Sequence, residues 1–247
     1  MTIHPSARGF ALAADAYERA RPDYPVEGVN WLASQLALGP GATVVDVAAG
    51  TGKLTRLLAP RAGTVIAVEP LDEMAAKLRE ILPGVQVLRG TAEAIPLPDD
   101  CADAVTVAQA FHWFDADAAI AEIHRVLKPA GHLGLVWNHW DLTDPLQRAL
   151  DDLVKRYRYE TPKERVQRWR AAFAATPLFT PLVERVFPHA QTLDADGVVE
   201  RIGSTSFVAA LPDEQRVPFL EEVRGLVPPG DHAQLLYRTG VYTCRAL

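Results

Sequence analysis

Residues Val44–Thr55 pass from a β-branched apolar run, through a turn of small residues, into the start of a helix. This passage constrains the fold more than any other part of the chain. Ala48, Ala49, Gly50 and Gly52 place no bulky side chain at the turn, so a ligand can approach the backbone. The helix that follows points its free N–H groups back toward that ligand. A second apolar run, Thr64–Val68, ends in Glu69. A carboxylate about twenty residues beyond such a turn is placed to accept hydrogen bonds from the two hydroxyls of a ribose. The pattern describes a site for an adenosine-containing ligand; the plainer alternative is a strand–turn–helix crossover without a ligand.

Two nucleotide classes fit that spacing. A dinucleotide site expects a third glycine inside the helix, but Lys53, Leu54 and Thr55 follow Gly52. Asp46, at the end of the first run, would repel a pyrophosphate. It suits a ligand that carries positive charge.

The rest of the chain alternates strand-like and helix-like segments. Apolar residues at helical spacing over 71–82 follow the second run, and a third strand is expected at 85–88. A fourth is expected at 102–108, then a helix with Ala118, Ala119, Ile123, Val126 and Leu127 on one face. Pro129 and Gly131 end that helix before a fifth strand at 132–137. This alternation implies a parallel sheet with right-handed crossovers. Beyond Asn138, helices are expected at 145–159, 163–175, 195–202 and 213–227, with strands at 182–187 and 240–246. The helices between 144 and 179 read as an insertion forming part of a lid.

Composition supplies exclusions. The 247 residues carry a formal net charge of −6, which argues against a general nucleic-acid or anionic-membrane binder. Cys101 and Cys244 are the two cysteines, and neither has metal-ligand spacing, so no metal is expected. A reduced, cytoplasmic location is the simplest reading. The N-terminal residues 1–10 lack the apolar core of a signal peptide, and no apolar stretch is long enough to span a bilayer. A monomer or homodimer is expected.

Several segments together resemble the class I S-adenosylmethionine-dependent methyltransferases, in particular the methyltransferase type 11 group that acts on small molecules. Asp46–Thr55 resembles motif I, with Ala48 where the first glycine usually stands. Gly90–Asp99 looks like motif II, Val105–Asp115 like motif IV, and Glu122–Gly131 like the helix and turn before the fifth strand. Tyr17–Pro25 resembles a leader segment of the same group. The resemblance implies a Rossmann-like α/β fold. Its sheet would have seven mostly parallel strands with the last antiparallel, helices on both faces, and a helical insertion after strand five. One methyltransferase domain would span 1–247, with N-terminal cap helices at 1–40, a cofactor-binding core at 41–140, and a lid insertion and final strands at 141–247.

The cofactor implied is S-adenosylmethionine. Asp46, Ala48, Gly50 and Gly52 would line its methionine and ribose side. Glu69 would hold the ribose diol, Pro70 would flank the adenine, and Ala92 and Glu93 would meet the adenine edge. Gln109 would lie beside the methyl group, and Tyr17 and Arg21 would close over the methionine carboxylate. A small-molecule acceptor would meet Tyr24, His112, Trp113, Trp137 and Asn138. His112 fits either a general base or a structural histidine that orients its loop. The implied reaction is in-line methyl transfer, with an oxygen or carboxylate acceptor favoured. A non-catalytic cofactor-binding protein and a dinucleotide-dependent oxidoreductase are the alternatives.

Overall fold

The computed structural model describes residues 14–157, 164–227, 230 and 232–247. The N-terminal stretch with His4, the Arg158 and Tyr159 end of an expected helix, and the 161–163 start of the next lie outside the described residues. The first half of the chain runs α1 (Ala14–Ala20), α2 (Val26–Gln35), β1 (Thr43–Val47), α3 (Thr55–Leu58), β2 (Thr64–Val68), α4 (Asp72–Ile81), β3 (Gln86–Leu88) and β4 (Ala102–Ala108). A 3₁₀ turn at Phe111–Trp113 leads into α5 (Ala116–Val126) and β5 (Leu127–Trp140). The remainder is α6 (Pro145–Tyr157), α7 (Glu164–Ala175), β6 (Val183–Leu193), α8 (Ala195–Gly203), α9 (Ser206–Ala209), α10 (Asp213–Leu226) and β7 (Ala233–Arg245).

The strands form one sheet in the order β3-β2-β1-β4-β5-β7-β6. Pairings among β1 to β5 are parallel. β7 runs antiparallel to both β5 and β6. The expected seven-stranded sheet with a reversed last strand is therefore present.

Neighbouring residues of β1 explain why helices cover both faces. Val45 and Val47 point to one face, where they join Ile120 and Ile123 of α5 and Trp169 and Phe173 of α7 in one cluster. Val44 points to the other face and packs with Val29 and Leu32 of α2 and with Leu36 just beyond it. Successive side chains of a strand alternate between faces, so a central strand with apolar residues on both faces must be covered twice. Burying each such side chain contributes roughly 1.5–3 kcal/mol.

The second half differs from the sequence expectation in three ways. β7 begins at Ala233 rather than near 240 and runs thirteen residues. Gly240 obscured this, yet Ala233, Leu235 and Tyr237 alternate inward as a half-buried strand should. β6 continues through Pro188 to Leu193, which an edge strand tolerates because one side of it needs no donor. The expected Pro129–Gly131 turn is a bulge: Ala102 pairs with Leu127 and Ala104 with His132, so Lys128–Gly131 loops out. Ala130 adopts φ 61° there.

The segment read as a lid divides between two places. α7 lies in the main core through Trp169 and Phe173. α6 instead packs through Leu150 and Leu153 with Val198 and Ile202 of α8, Phe219 and Val223 of α10, and the early half of β7. Helices from two excursions, before β6 and before β7, thus build a roof beyond the carboxyl end of β5 and the amino end of β7. Among the described residues, no helix is long and apolar enough to cross a membrane.

Candidate active site

The order of the strands reverses between β1 and β4, so their following connections leave on opposite sides and open a crevice. A cavity of about 600 Å³ lies there, within the range of small-molecule and cofactor sites. Both strands that flank the crevice end in a left-handed residue other than glycine, Ala48 at φ 54° and Gln109 at φ 59°. Both residues line the cavity. Strained backbone of this kind, costing of order 1–3 kcal/mol, persists where surrounding structure fixes it and concentrates at functional sites.

The motif I turn separates into a front and a back. Gly50 lines the cavity at φ 60°, and a Cβ added to it would meet nothing within 4 Å. The backbone there is open to a ligand. Gly52 faces the other way: a Cβ on it would sit 3.0 Å from Leu78 Cγ and 3.2 Å from Leu82 Cδ1. Its glycine permits α4 to pack against the turn. Asp46 also lies behind the wall. Its carboxylate is fully enclosed and accepts from Thr55 Oγ1 at 2.6 Å and Thr106 Oγ1 at 2.8 Å. It ties the first turn of α3 to β4. Burial pushes its carboxyl up to about 6, against the pull of those two hydroxyls.

Glu69 stands at the front. It is 4% exposed and lines the cavity. Its Oε2 accepts from the Gly50 N–H at 2.8 Å and its Oε1 from the Leu71 N–H at 2.9 Å. A carboxylate has about four acceptor positions, so each oxygen keeps one for a further donor. Burial raises this carboxyl to about 7, opposed by the two backbone donors and reinforced slightly by Asp46. Pro70, Leu71 and Met74 continue the wall, and Thr91, Ala92 and Glu93 face them. Glu122 of α5 fixes that second loop by accepting from the Ile95 N–H at 2.8 Å. Glu93 accepts from the Asp115 N–H at 3.0 Å.

The leader segment is clamped across the turn. Glu18 takes hydrogen bonds from Thr51 and Arg56, and Asp23 pairs with Lys53 at 3.2 Å and with Arg56. These ties bring Tyr17 and Arg21 to the cavity wall. The Arg21 guanidinium lies 5.1 Å from the Tyr17 ring centre and donates to Ser204 Oγ at 3.1 Å and Ser204 O at 2.9 Å. Burial, with the like charge of Arg201 beside it, lowers Arg21 to about 10.

His112, Trp113 and Asn138 also line the cavity, with the His112 and Trp113 rings 4.8 Å apart. Asn138 is held in place: its amide donates to Asp23 O at 3.0 Å and accepts from Thr239 Oγ1 at 2.6 Å. Tyr24 and Trp137 are placed elsewhere. Tyr24 is buried with Val29 and Leu32, and Trp137 stacks on Trp169 at 4.5 Å within the main core. The alternation of β5 explains the second case, because adjacent Trp137 and Asn138 must face opposite sides.

Sequence reasoning missed the roof. His139, Trp140 and Leu142 line the cavity from the end of β5, and Asp151 and Val154 from α6. Arg201, Thr205 and Phe207 line it from α8 and beyond. One signal was available: Arg201 shares the buried stripe of its helix with Val198 and Ile202, an unusual place for an arginine. Among the described residues, no cluster of His, Cys, Asp or Glu could hold a metal ion.

The methyltransferase domain family matches residues 45–135. A methyltransferase-like protein of Schizosaccharomyces pombe is 35% identical over 234 residues, which span 92% of this chain and 91% of that protein. The chain belongs to the class I S-adenosylmethionine-dependent methyltransferases. A Mycobacterium tuberculosis methyltransferase is 39% identical over 218 residues, or 88% of this chain and 85% of that protein. A solved methyltransferase from Anaeromyxobacter dehalogenans has the same fold, with a TM-score of 0.65, 24% identity, and coverage of 92% of this chain and 97% of that one.

This methyltransferase is an enzyme that uses S-adenosylmethionine. The cavity fits that cofactor. The open space over Gly50 admits its backbone-facing atoms, and the two spare acceptor positions on Glu69 match a ribose diol. Family membership sets aside the dinucleotide-dependent oxidoreductase.

Proposed function

We propose that this methyltransferase transfers a methyl group to a small organic acceptor, at an oxygen or carboxylate, within the cavity at the β1–β4 crevice. The observation that carries the reading is the junction of Gly50 and Glu69. A buried carboxylate, with acceptor capacity to spare, stands beside a backbone turn that no side chain covers. In this reading Glu69 accepts from the ribose hydroxyls, and Gly50 with Ala48 borders the ribose and methionine. Pro70 flanks the adenine, Ala92 and Glu93 meet its polar edge, and Gln109 borders the methyl group. Tyr17 and Arg21 close over the methionine carboxylate, a match of charge as well as shape. Asp46 and Gly52 act one step back: Asp46 holds β1, α3 and β4 together, and Gly52 lets α4 approach.

When bound, S-adenosylmethionine supplies an electrophilic methyl group that an acceptor takes by in-line displacement, leaving a neutral thioether. The chain's own residues align the acceptor and exclude water, which supplies most of what such a step needs. His112 faces the acceptor space beside Trp113 and receives a proton when the acceptor is a hydroxyl. A carboxylate acceptor has no proton to lose, and His112 then donates to it. The 141–247 region supplies the roof over this space.

The test is His112→Ala, measured for S-adenosylhomocysteine affinity and for transfer of labelled methyl into a small-molecule acceptor panel. Turnover is expected to fall by about 10²–10⁴-fold for a hydroxyl acceptor while affinity stays within twofold. Unchanged turnover would remove His112 from the chemistry, and labelling of protein rather than small molecules would remove the acceptor class.

A further inference from the structure

Arg201 of the roof lies beside Arg21 of the leader segment, and among the described residues neither Arg21 nor Arg201 forms an ion pair. Arg201 is 5% exposed and lines the cavity. Its Nε donates to Tyr237 Oη at 3.2 Å, and Tyr237 Oη in turn donates to Gln191 Oε1 at 3.2 Å. Its guanidinium carbon lies 5.9 Å from the ring centres of both Trp140 and Tyr237. Its Nη1 is buried and has no hydrogen-bond partner among the described residues. Arginine stays charged in proteins, and an uncompensated buried cation costs several kcal/mol. An anion that reaches the guanidinium from the cavity would offset that cost.

Position separates Arg201 from the nucleoside end of the cofactor. The Gln109 N–H bonds Val136 O, which marks where β4 stops along β5. Trp140, against which Arg201 rests, lies four residues further on, or about 13 Å at the strand rise. It pairs with Tyr237 on β7. Arg201 therefore sits over the far side of the sheet, whereas Glu69 ends β2 on the near side. The charges agree with this division. The cofactor brings one carboxylate, for which Arg21 is the nearer partner in the proposed reading, so the second cation is left for the acceptor.

We infer that the acceptor is a small organic acid, anchored by a carboxylate on the cavity-lining guanidinium of Arg201 with its carbon skeleton between Trp140 and Phe207. This deepens the proposed function and rests on it. A carboxylate suits the site better than a phosphate dianion, because Asp151 and Glu93 also line the cavity. Asp151 is itself paired with Lys155, and Glu93 with the Asp115 amide, so neither neutralises Arg201.

Calorimetry on protein saturated with S-adenosylhomocysteine tests this. The probes are succinate, glutarate, adipate, benzoate and phenylacetate, each beside its amide. At least one acid is expected to bind with a Kd below about 1 mM, and its amide at least about tenfold more weakly. Arg201→Gln is expected to weaken that acid by about tenfold or more, and Arg201→Lys to restore part of the loss. Both variants should bind S-adenosylhomocysteine within twofold of the parent. The inference is overturned if no acid binds, if acid and amide bind alike, or if Arg201→Gln leaves acid binding unchanged. A tenfold loss of S-adenosylhomocysteine affinity in Arg201→Gln also overturns it, by moving Arg201 to the cofactor. Should the Gln variant not fold, the acid–amide comparison on the parent protein decides. Failure of the parent to bind S-adenosylhomocysteine would instead strike the underlying reading.

Discussion

Glu69→Ala is expected to weaken S-adenosylhomocysteine binding by about 1–3 kcal/mol, the usual cost of stranding hydrogen-bonding groups in a buried place. That is roughly a 5-fold to 150-fold rise in Kd, readable by calorimetry. The substitution also frees the Gly50 and Leu71 amides, which Glu69 holds at 2.8 and 2.9 Å, so the turn itself loosens. Acidity adds a second signature. Burial raises the Glu69 carboxyl from 4.5 to about 7, so the folded apo protein holds this proton when the unfolded chain has released it. Its contribution to stability is fully present below about pH 4.5 and fades as pH rises through 7. Asp46, raised from 3.8 to about 6, acts in the same direction. Ribose hydroxyls donate and therefore favour the ionised form. Cofactor affinity should then fall as pH drops from 8 to 5.5, by up to about tenfold per unit for a single linked proton. Glu69→Gln should flatten that slope. A slope that survives the substitution would assign the proton to another group, and an unchanged Kd in Glu69→Ala would put the ribose elsewhere.

Asp46→Ala is expected to destabilise the fold rather than the complex. The substitution strands two enclosed hydroxyls, Thr55 and Thr106, and leaves a hole between β1, α3 and β4. Losses of this kind amount to about 2–4 kcal/mol, which lowers Tm by roughly 5–15 °C in a chain of this size. Asp46→Asn should cost less than about 1 kcal/mol. Its amide oxygen accepts from one threonine, and its NH₂ donates to the other. Thermal unfolding of the two variants separates the outcomes. Equal melting temperatures for Ala and Asn would show that the hydrogen bonds carry no weight. A normal Tm with lost S-adenosylhomocysteine affinity would show that Asp46 faces the ligand after all.

The alternation of apolar runs and amphipathic helices made the parallel part of the sheet legible, because strands buried on both faces and helices with one apolar stripe leave distinct periodicities. Motif I was legible as a turn, but its residues divide between front and back in a way spacing alone does not reveal. Gly50 opens to the cavity while Gly52 accommodates Leu78. Asp46 and Glu69 both end strands, yet one points between elements and the other into the crevice. Tyr24 and Trp137 were misplaced for a similar reason: an aromatic near a site is as readily core as wall. The roof was the least legible part. Its cavity residues come from several elements far apart in the chain, brought together by a β6–β7 ladder whose length Pro188 and Gly240 disguised.

The two excursions that build the roof start and finish on strands at one margin of the sheet, while Gly50 and Glu69 belong to strands nearer the opposite margin. Descendants of such a chain are free to reshape the margin that meets the acceptor without redesigning the nucleoside's seat. Inheritance can therefore hold the methyl donor constant and vary the recipient, which is how one scaffold comes to serve many metabolites.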